Sequence, residues 1–239
     1  MDARFIREEM LLGSQAMARL GKAHVAVVGL GGVGSWCAEA LARCGVGALT
    51  LMDEDSVSLS NINRQSIASD STLGRPKAEV MAERIRDIAP DCRLTAIAGR
   101  YEAAARETLF SADHYDYIVD AIDLVSCKLD LICSARERGI PIVSALGTGT
   151  KLDASQLRIS DISATQGCPL ARVVRKELRA RGITHHAVVY SPEQGLSPAQ
   201  PEAPPPGRRS VPGSLVWVPA SAGLLLCQKV VLELSGIGK

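Results

Sequence analysis

The feature that most constrains this chain is the stretch VVGLGGVGSWCAEAL, residues 27–41, in which an apolar run breaks into glycines and resumes with helical spacing. Gly29, Gly31 and Gly34 fit the G-x-G-x-x-G pattern, directly after a predicted strand and at the start of a predicted helix. Such glycines allow a tight turn and let backbone N–H groups approach a phosphate at the helix N-terminus. The stretch therefore predicts a phosphate-binding turn, with a turn of purely structural use as the alternative.

The rest of the first 150 residues alternates between strand and helix patterns, which predicts an α/β fold. Such alternation is typical of a doubly wound, mostly parallel, Rossmann-like sheet with helices on both faces. The predicted strands are 24–30, 48–53, 93–98, 115–122 and 140–146. The predicted helices are 33–44, 75–88, a segment near 102–110, and 125–138.

The second part of the chain predicts a strand and helix extension of the same single domain, 1–239. Its elements are a strand at 156–163, a helix at 168–183 with Pro169 in its first turn, and a strand at 186–191. Residues 191–213 hold seven of the twelve prolines and are predicted to be a mobile loop, either a linker or a lid. The apolar segment that follows is interpreted as a strand and then a core helix. We expect 1–150 to bind the nucleotide and 151–239 to serve substrate and dimer contacts.

Charged residues beyond the second strand favour a triphosphate over a dinucleotide. Asp53 ends that strand 24 residues after Gly29, where its carboxylate can accept hydrogen bonds from ribose hydroxyls of either ligand. A triphosphate carries roughly four charges and needs several cationic partners, which Arg64 and Lys77 can supply. Asp123, at the carboxyl edge of the fourth strand, can hold Mg²⁺. The set predicts ATP with Mg²⁺, and an NAD-dependent dehydrogenase is the less favoured alternative.

Composition narrows the class of protein without naming a partner. The net charge is +1, so any footprint for nucleic acid must be local. The seven cysteines include no CxxC pair, and the four histidines have no metal-ligand spacing, so a zinc site is not expected. The charged N-terminal stretch and the interrupted C-terminal apolar segment predict a cytoplasmic protein with no stable membrane insertion.

Five motifs in order resemble the ubiquitin-activating-enzyme superfamily of adenylating proteins, which includes the bacterial activators of sulfur carriers. They are RFIREEMLLG, GLGGVGSWCAEALARCGVG, DEDSVSLSNINRQ, GRPKAEVMAERIRDIAP and DAID. The second half, with DISATQGCPLARVVRKELRARGI and VPGSLVWVPASAGLLLCQKVV, is similar to the branch of tRNA threonylcarbamoyladenosine dehydratases. The resemblance implies that ATP is used to adenylate and then cyclise the threonylcarbamoyl group of a tRNA nucleoside. An activator of a ubiquitin-like sulfur-carrier protein, and an adaptor without activity, are the alternatives.

The same resemblance implies a role for each matching residue. The three glycines of the turn would line the α-phosphate, Asp53 would bind the ribose, and Asn61 would help to orient the phosphates. The full nucleotide-binding set is Gly29, Gly31, Gly34, Asp53, Asn61 and Gln65. Among the catalytic residues, Arg64 would orient the phosphates and Lys77 would stabilise the leaving pyrophosphate. Asp123 would hold magnesium, and Arg7 would reach into the partner subunit of a homodimer. A monovalent cation and a sulfur-relay protein are further candidates.

Two other features of the second half bear on function. The helix at 168–183 carries five cations against the single acid Glu177, and two more cations follow in the loop; they are Arg172, Arg175, Lys176, Arg179, Arg181, Arg208 and Arg209. This helix is either a tRNA-binding surface or an ordinary solvated face. Cys168 lies at the loop–helix junction, where a helix N-terminus can lower the pKa of a thiol, although the implied reaction needs no cysteine.

Overall fold

A single seven-stranded sheet forms the centre of the computed structural model, which describes residues 2–111, 114–197, 199 and 212–237. Its strands β1 to β7 are His24–Val28, Ala48–Asp53, Arg93–Ala98, Tyr117–Asp120, Ile142–Ala145, Arg158–Asp161 and Ala187–Tyr190. Their order across the sheet is β3-β2-β1-β4-β5-β7-β6. Every neighbouring pair is parallel except β6 with β7, which is antiparallel. The predicted mostly parallel, doubly wound sheet is therefore confirmed.

Helices cover both faces of this sheet. In chain order α1 to α8 are Ile6–Leu12, Ser14–Leu20, Gly34–Arg43, Lys77–Ile88, Arg106–Phe110, Val125–Glu137, Pro169–Ala180 and Trp217–Ser235. Helices α2, α3, α4 and α8 contribute to one apolar core, and α5, α6 and α7 contribute to the other. The division of the chain into 1–150 and 151–239 portions stays a prediction.

The two cores follow from the alternation of side chains along each strand. In β1, Val25 and Val27 belong to the core under α3 and α8, whereas Ala26 and Val28 belong to the core under α6. All five residues of β1 are buried, as expected for a strand that is covered on both faces. This is why the strand reads in the sequence as a continuous apolar run.

The C-terminal apolar segment corrects one prediction. It forms the single helix α8, and no strand occurs in residues 212–216. Pro219 is tolerated because it is the third residue of the helix, where its missing N–H would have no partner within the helix. By length and composition alone α8 could cross a membrane, but half of its most apolar 18-residue stretch is buried inside the fold. Its apolar character is accounted for by core packing.

Parts of the proline-rich loop predicted at 191–213 fall outside the described residues, namely 198 and 200–211, and so do Arg208 and Arg209. The described residues on either side meet at Thr150. Its N–H donates to the carbonyl of Gly213, and its carbonyl accepts from the N–H of Leu196, both at 2.7 Å. Thr150 has a φ of 62°, which is unusual for a β-branched residue. These two hydrogen bonds hold it in that conformation.

Close backbone packing joins α8 to the start of α3. A Cβ added to Gly223 would collide with the carbonyl oxygen of Val33 and lie 3.0 Å from the backbone nitrogen of Cys37. The obstacles are backbone atoms, which cannot rotate away as a flexible side chain can. The helix α8 therefore approaches the first turn of α3 only because residue 223 has no side chain.

We expect Gly223→Ala to lower the free energy of unfolding by about 1–3 kcal/mol, the usual cost of overpacking. This loss should outweigh the gain of about 1 kcal/mol in helix propensity that alanine brings. Urea unfolding followed by circular dichroism measures the difference. The control is Ser221→Ala, on the same helix, which should leave stability equal or slightly higher. Equal stability of wild type and Gly223→Ala would contradict the described packing.

Candidate functional site

The glycine turn sits directly against the carboxyl end of β4. A Cβ on Gly29 would lie 2.6 Å from the carbonyl oxygen of Ala121, and its φ of 91° favours glycine as well. A Cβ on Gly34 would collide with the carbonyl oxygen of Gly29. Both glycines are therefore required by the fold itself. Together they bring the N-terminus of α3 to the edge where the parallel strands end.

Gly31 has no comparable structural reason to be glycine. Its φ lies outside the left-handed region, and among the described residues the only atom within 4.0 Å of an added Cβ is Nε2 of Gln65, at 4.0 Å. The turn is thus open at this residue. Gln65 is buried, and its Oε1 has no hydrogen-bond partner among the described residues. An open glycine beside a buried amide that has an unpaired atom is an arrangement suited to a bound polar ligand.

Arg64 lies against the glycine turn at Gly32. Its Cγ would be 3.4 Å from a Cβ on Gly32, and its carbonyl accepts a hydrogen bond from Trp36 Nε1 on α3 at 2.9 Å. Its guanidinium donates to the carbonyl of Ser60 at 2.7 Å and to Oδ1 of Asn63 at 2.8 Å. The residue is therefore at the turn, and its guanidinium is held by neutral groups of its own loop.

Asp53 and Lys77 meet at the carboxyl end of β2. Asp53 accepts hydrogen bonds from the N–H groups of Leu30 at 2.5 Å and Asp55 at 2.9 Å, which ties it to the glycine turn. Lys77 is buried, and its Nζ lies 2.8 Å from Oδ2 of Asp55 and 4.0 Å from Oδ1 of Asp53. Burial raises the pKa of Asp53, and the ammonium of Lys77 opposes that rise. The two charged side chains therefore lie beside the glycine turn, in the crevice between the turn and the carboxyl ends of the strands.

Asp123 follows the end of β4, two residues beyond the Ala121 carbonyl that touches the turn. Its side chain is exposed to solvent. The loop is anchored beneath by a fully buried ion pair in which Lys128 Nζ donates to Asp120 Oδ2 at 2.7 Å and to the carbonyl of Ala145 at 3.0 Å. The other oxygen of Asp120 accepts the N–H of Ile122. The ends of β4 and β5 and the loop with Asp123 are thus tied together.

The sequence did not reveal this buried pair, because Lys128 looks like any helix lysine until the helix is placed on the sheet. The pair also affects its surroundings. His186 bonds through Nε2 to Ser144 Oγ at 2.8 Å, and burial, together with the charge of Lys128, lowers the pKa of His186 to about 3. A lysine near the start of a helix that follows an aspartate-ended strand would have been the only sequence signal.

The remaining predicted residues occupy three different places. The buried Asn61 lies on the loop of Arg64, where its Oδ1 accepts the N–H of Ser58 at 3.2 Å. Arg7 is exposed on α1, outside the crevice formed by the glycine turn and the strand ends. Cys168 is buried, and its Sγ accepts the N–H of Ala171 at 3.4 Å. Cys168 therefore caps α7. No group of three or more His, Cys, Asp or Glu suited to a metal ion occurs within the described ranges.

The fold and this crevice define a Rossmann-like domain whose glycine turn lies beside cations at the carboxyl edge of the sheet, the place where such folds bind ligands. A family model described as the ThiF family matches residues 5–238. The chain belongs to the ThiF family.

Relatives cover nearly the whole chain. A tRNA threonylcarbamoyladenosine dehydratase of Bacillus subtilis is 38% identical over 239 residues, covering 96% of this chain and 94% of the relative. A crystal structure of the Escherichia coli tRNA N6-threonylcarbamoyladenosine dehydratase in complex with ATP is 36% identical with a TM-score of 0.87, covering 98% of this chain and 95% of the other. A molybdopterin-synthase adenylyltransferase of Salmonella typhimurium is 35% identical over 143 residues, covering 59% of this chain and 57% of the relative. The similarity to the sulfur-carrier branch is thus confined to part of the chain.

The open face of the turn leads to a prediction that separates binding from folding. We expect Gly31→Ala to keep wild-type thermal stability, because its methyl group would lie no closer than 4.0 Å to any atom in the part of the chain that the structure describes. It should weaken ATP binding by about 1–3 kcal/mol, roughly 5- to 150-fold in Kd, because the methyl group would crowd a phosphate on the turn. Fluorescence titration and isothermal calorimetry measure the Kd.

The matched control is Gly34→Ala, three residues further along. Because its methyl group would collide with the carbonyl of Gly29, this variant should lose stability by about 3 kcal/mol or fail to fold. Unchanged ATP affinity in Gly31→Ala would show that no phosphate rests on this part of the turn. Loss of folding in Gly31→Ala would instead contradict the open geometry.

Proposed function

We propose that the protein is an ATP-dependent enzyme that adenylates the threonyl carboxylate of threonylcarbamoyladenosine in tRNA and then closes it into a ring. The observation that carries the proposal is the open glycine turn at Gly31, beside the buried amide of Gln65 and flanked by Arg64 and Lys77. The near full-length similarity to proteins named as tRNA threonylcarbamoyladenosine dehydratases supports this choice of substrate.

In the first step the threonyl carboxylate oxygen attacks the α-phosphorus of ATP, and the bond to the β-phosphate oxygen breaks to release pyrophosphate. Arg64 and Lys77 would take up the charge that develops on the phosphates. Gly29, Gly31 and Gly34 would line the α-phosphate, where the N-terminus of α3 favours negative charge. Asp53, together with Asn61 and Gln65, would hold the nucleoside and its phosphates; this list completes the proposed nucleotide site.

In the second step the ureido group of the same side chain attacks the activated carbonyl, loses a proton, and displaces AMP. The net change is the loss of one water from the nucleoside. Because the nucleophile and the carbonyl belong to one side chain, proximity supplies much of the rate. The main task of the protein is therefore electrostatic, in that it holds the phosphates and the carboxylate in line.

We also propose that Mg²⁺ is held by Asp123 and phosphate oxygens, where it would offset phosphate charge. An exposed carboxylate beside the turn fits this role, because Mg²⁺ typically uses one or two carboxylates with substrate phosphates and waters. A monovalent cation would be a separate requirement, tested by omitting potassium and sodium. We propose that the protein acts in the cytoplasm, where it would encounter its tRNA substrate.

A homodimer is a further part of the proposal. Helix α1 exposes Ile6 by 55%, Met10 by 81% and Leu11 by 85%, an apolar surface that a second copy could cover. Arg7 lies next to Ile6 on this helix, from which it would reach into the site of the partner. The other function, activation of a sulfur-carrier protein, is not favoured, because that similarity covers only part of the chain. A sulfur-relay protein remains a candidate partner only.

Mass spectrometry of nucleosides from modified tRNA tests the function directly. Incubation with protein, ATP and Mg²⁺ should lower the mass of threonylcarbamoyladenosine by one water, with AMP and pyrophosphate released in equal amounts. The control replaces tRNA with a ubiquitin-like protein that ends in Gly-Gly. Pyrophosphate exchange that depends on that protein, with no change in the tRNA, would favour the alternative function.

We expect Arg64→Ala and Lys77→Met each to lower turnover by at least about a hundredfold, the usual effect of removing one charge-stabilising group. Methionine is chosen at residue 77 because it fills the buried volume without a charge. Thermal unfolding verifies that each variant is folded, and Lys22→Met, at an exposed lysine, is the control. Turnover near the wild-type value in both variants would refute the assigned roles.

A further inference from the structure

Helix α7 carries cations that form no salt bridge within the described part of the chain. Its buried residues Ala171, Val174 and Leu178 face the core and fix the rotation of the helix. The opposite side exposes residues at i, i+4 and i+7, which therefore lie in one row; they are Arg172, Lys176 and Arg179. We call these three residues the α7 face.

The structure separates these three from the other cations predicted on this helix. Arg175 donates to the carbonyl of Thr165 at 2.7 Å and to its Oγ1 at 2.6 Å, so it serves the loop before α7. Arg181 lies 2.8 Å from Glu177, so these two opposite charges balance each other. Among the described residues, the side chains of the α7 face form no hydrogen bond and no salt bridge. The hydrogen bond from Arg181 lowers the pKa of Glu177, and the charge of the neighbouring Lys176 lowers it further. Like charges at helical spacing destabilise a helix by a few tenths of a kcal/mol for each pair.

The position of α7 relates this face to the crevice. A Cβ on Gly147, two residues after β5 ends, would lie 3.7 Å from Sγ of Cys168, the residue that caps α7. The helix therefore begins at the carboxyl edge of the sheet, the same edge that carries the glycine turn and Asp123. Arg172 is nearest to that edge, and the row extends about 10 Å along the helix away from it.

We infer that the α7 face binds backbone phosphates of the tRNA whose modified nucleoside enters the crevice. The inference rests on the proposed function, and it names the surface that positions that substrate. Charge complementarity carries it, because three exposed cations without a salt bridge among the described residues match a polyanion, and the whole chain has a net charge of only +1. Contacts of this kind set the register of a nucleic acid without reading its sequence.

An anionic membrane is the other polyanion to consider, and the helix does not suit it. A membrane-surface helix places an exposed apolar face beside its cations. In α7 the apolar face is buried in the core, and Val173, exposed by 44%, is the only large apolar residue of this helix that is exposed. The observations therefore favour RNA.

The test replaces all three residues, as Arg172→Gln, Lys176→Gln and Arg179→Gln together, and measures binding of an unmodified tRNA transcript at several salt concentrations. The slope of log Kd against log salt should fall by about 2 to 3, near one for each lost phosphate contact. At low salt the Kd should rise at least about tenfold. With modified tRNA, KM should rise while kcat stays within about twofold, because the nucleotide site is untouched.

The matched control removes three exposed cations elsewhere, as Lys22→Gln, Arg86→Gln and Arg93→Gln together. Lys22 precedes β1, Arg86 lies in the last turn of α4 and Arg93 begins β3, all toward the opposite edge of the sheet. This variant has the same net charge as the α7 variant. Its salt slope should match that of the wild type, and both variants should retain wild-type melting temperature and ATP affinity.

Each outcome decides the inference. A wild-type salt slope in the α7 variant overturns it, and so does an equal loss in both variants. Binding to phosphatidylserine vesicles that only the α7 variant loses, with its tRNA slope unchanged, overturns it in favour of a membrane. Wild-type protein that binds tRNA through the α7 face but removes no water supports the inference and overturns the proposed function alone. Wild-type protein that binds no tRNA overturns both.

Discussion

Backbone packing of the glycine turn on the end of β4 is the contact on which the rest of the site depends. Because Gly29 has no Cβ, its backbone can lie against the carbonyl of Ala121, and Gly34 can then pass close to Gly29. This contact brings the start of α3, the loop with Arg64 and the exposed Asp123 to one edge of the sheet. A methyl group on either glycine would overlap backbone atoms, so these elements would have to move apart.

Much of the fold could be predicted because strands buried on both faces read as continuous apolar runs and the helices between them have their own period. The strand expected before α8 was wrong for a physical reason. Val216, Trp217 and Val218 have side chains that favour strands locally, and Pro219 looks like a break. Packing of Gly223 against α3 favours a helix instead. Pro219 then falls in the first turn of that helix, where proline is tolerated.

The site could be predicted only where residues are near each other in the sequence. The glycines and Asp53 lie on one strand–turn–helix–strand unit, so their meeting follows from the fold class. The partners of Lys77 and Lys128 could not be predicted, because they depend on how side chains cross between elements that the sequence does not align. The α7 face illustrates the same limit. The sequence shows five cations on this helix, but Arg175 contacts Thr165 and Arg181 contacts Glu177, which leaves three.

The strength of each existing contact decides which cations in the crevice can move to a phosphate. Lys77 is buried, but its partner Asp55 has a side chain that is 62% exposed, so water can solvate that carboxylate when the ammonium binds a phosphate instead. Arg64 is held by neutral oxygens, which bind a guanidinium more weakly than a phosphate does. Lys128, by contrast, is fully buried with Asp120, and breaking such a pair costs about 3–5 kcal/mol. The first two side chains can therefore exchange their partners for a triphosphate, whereas Lys128 stays in place and keeps the loop with Asp123 fixed.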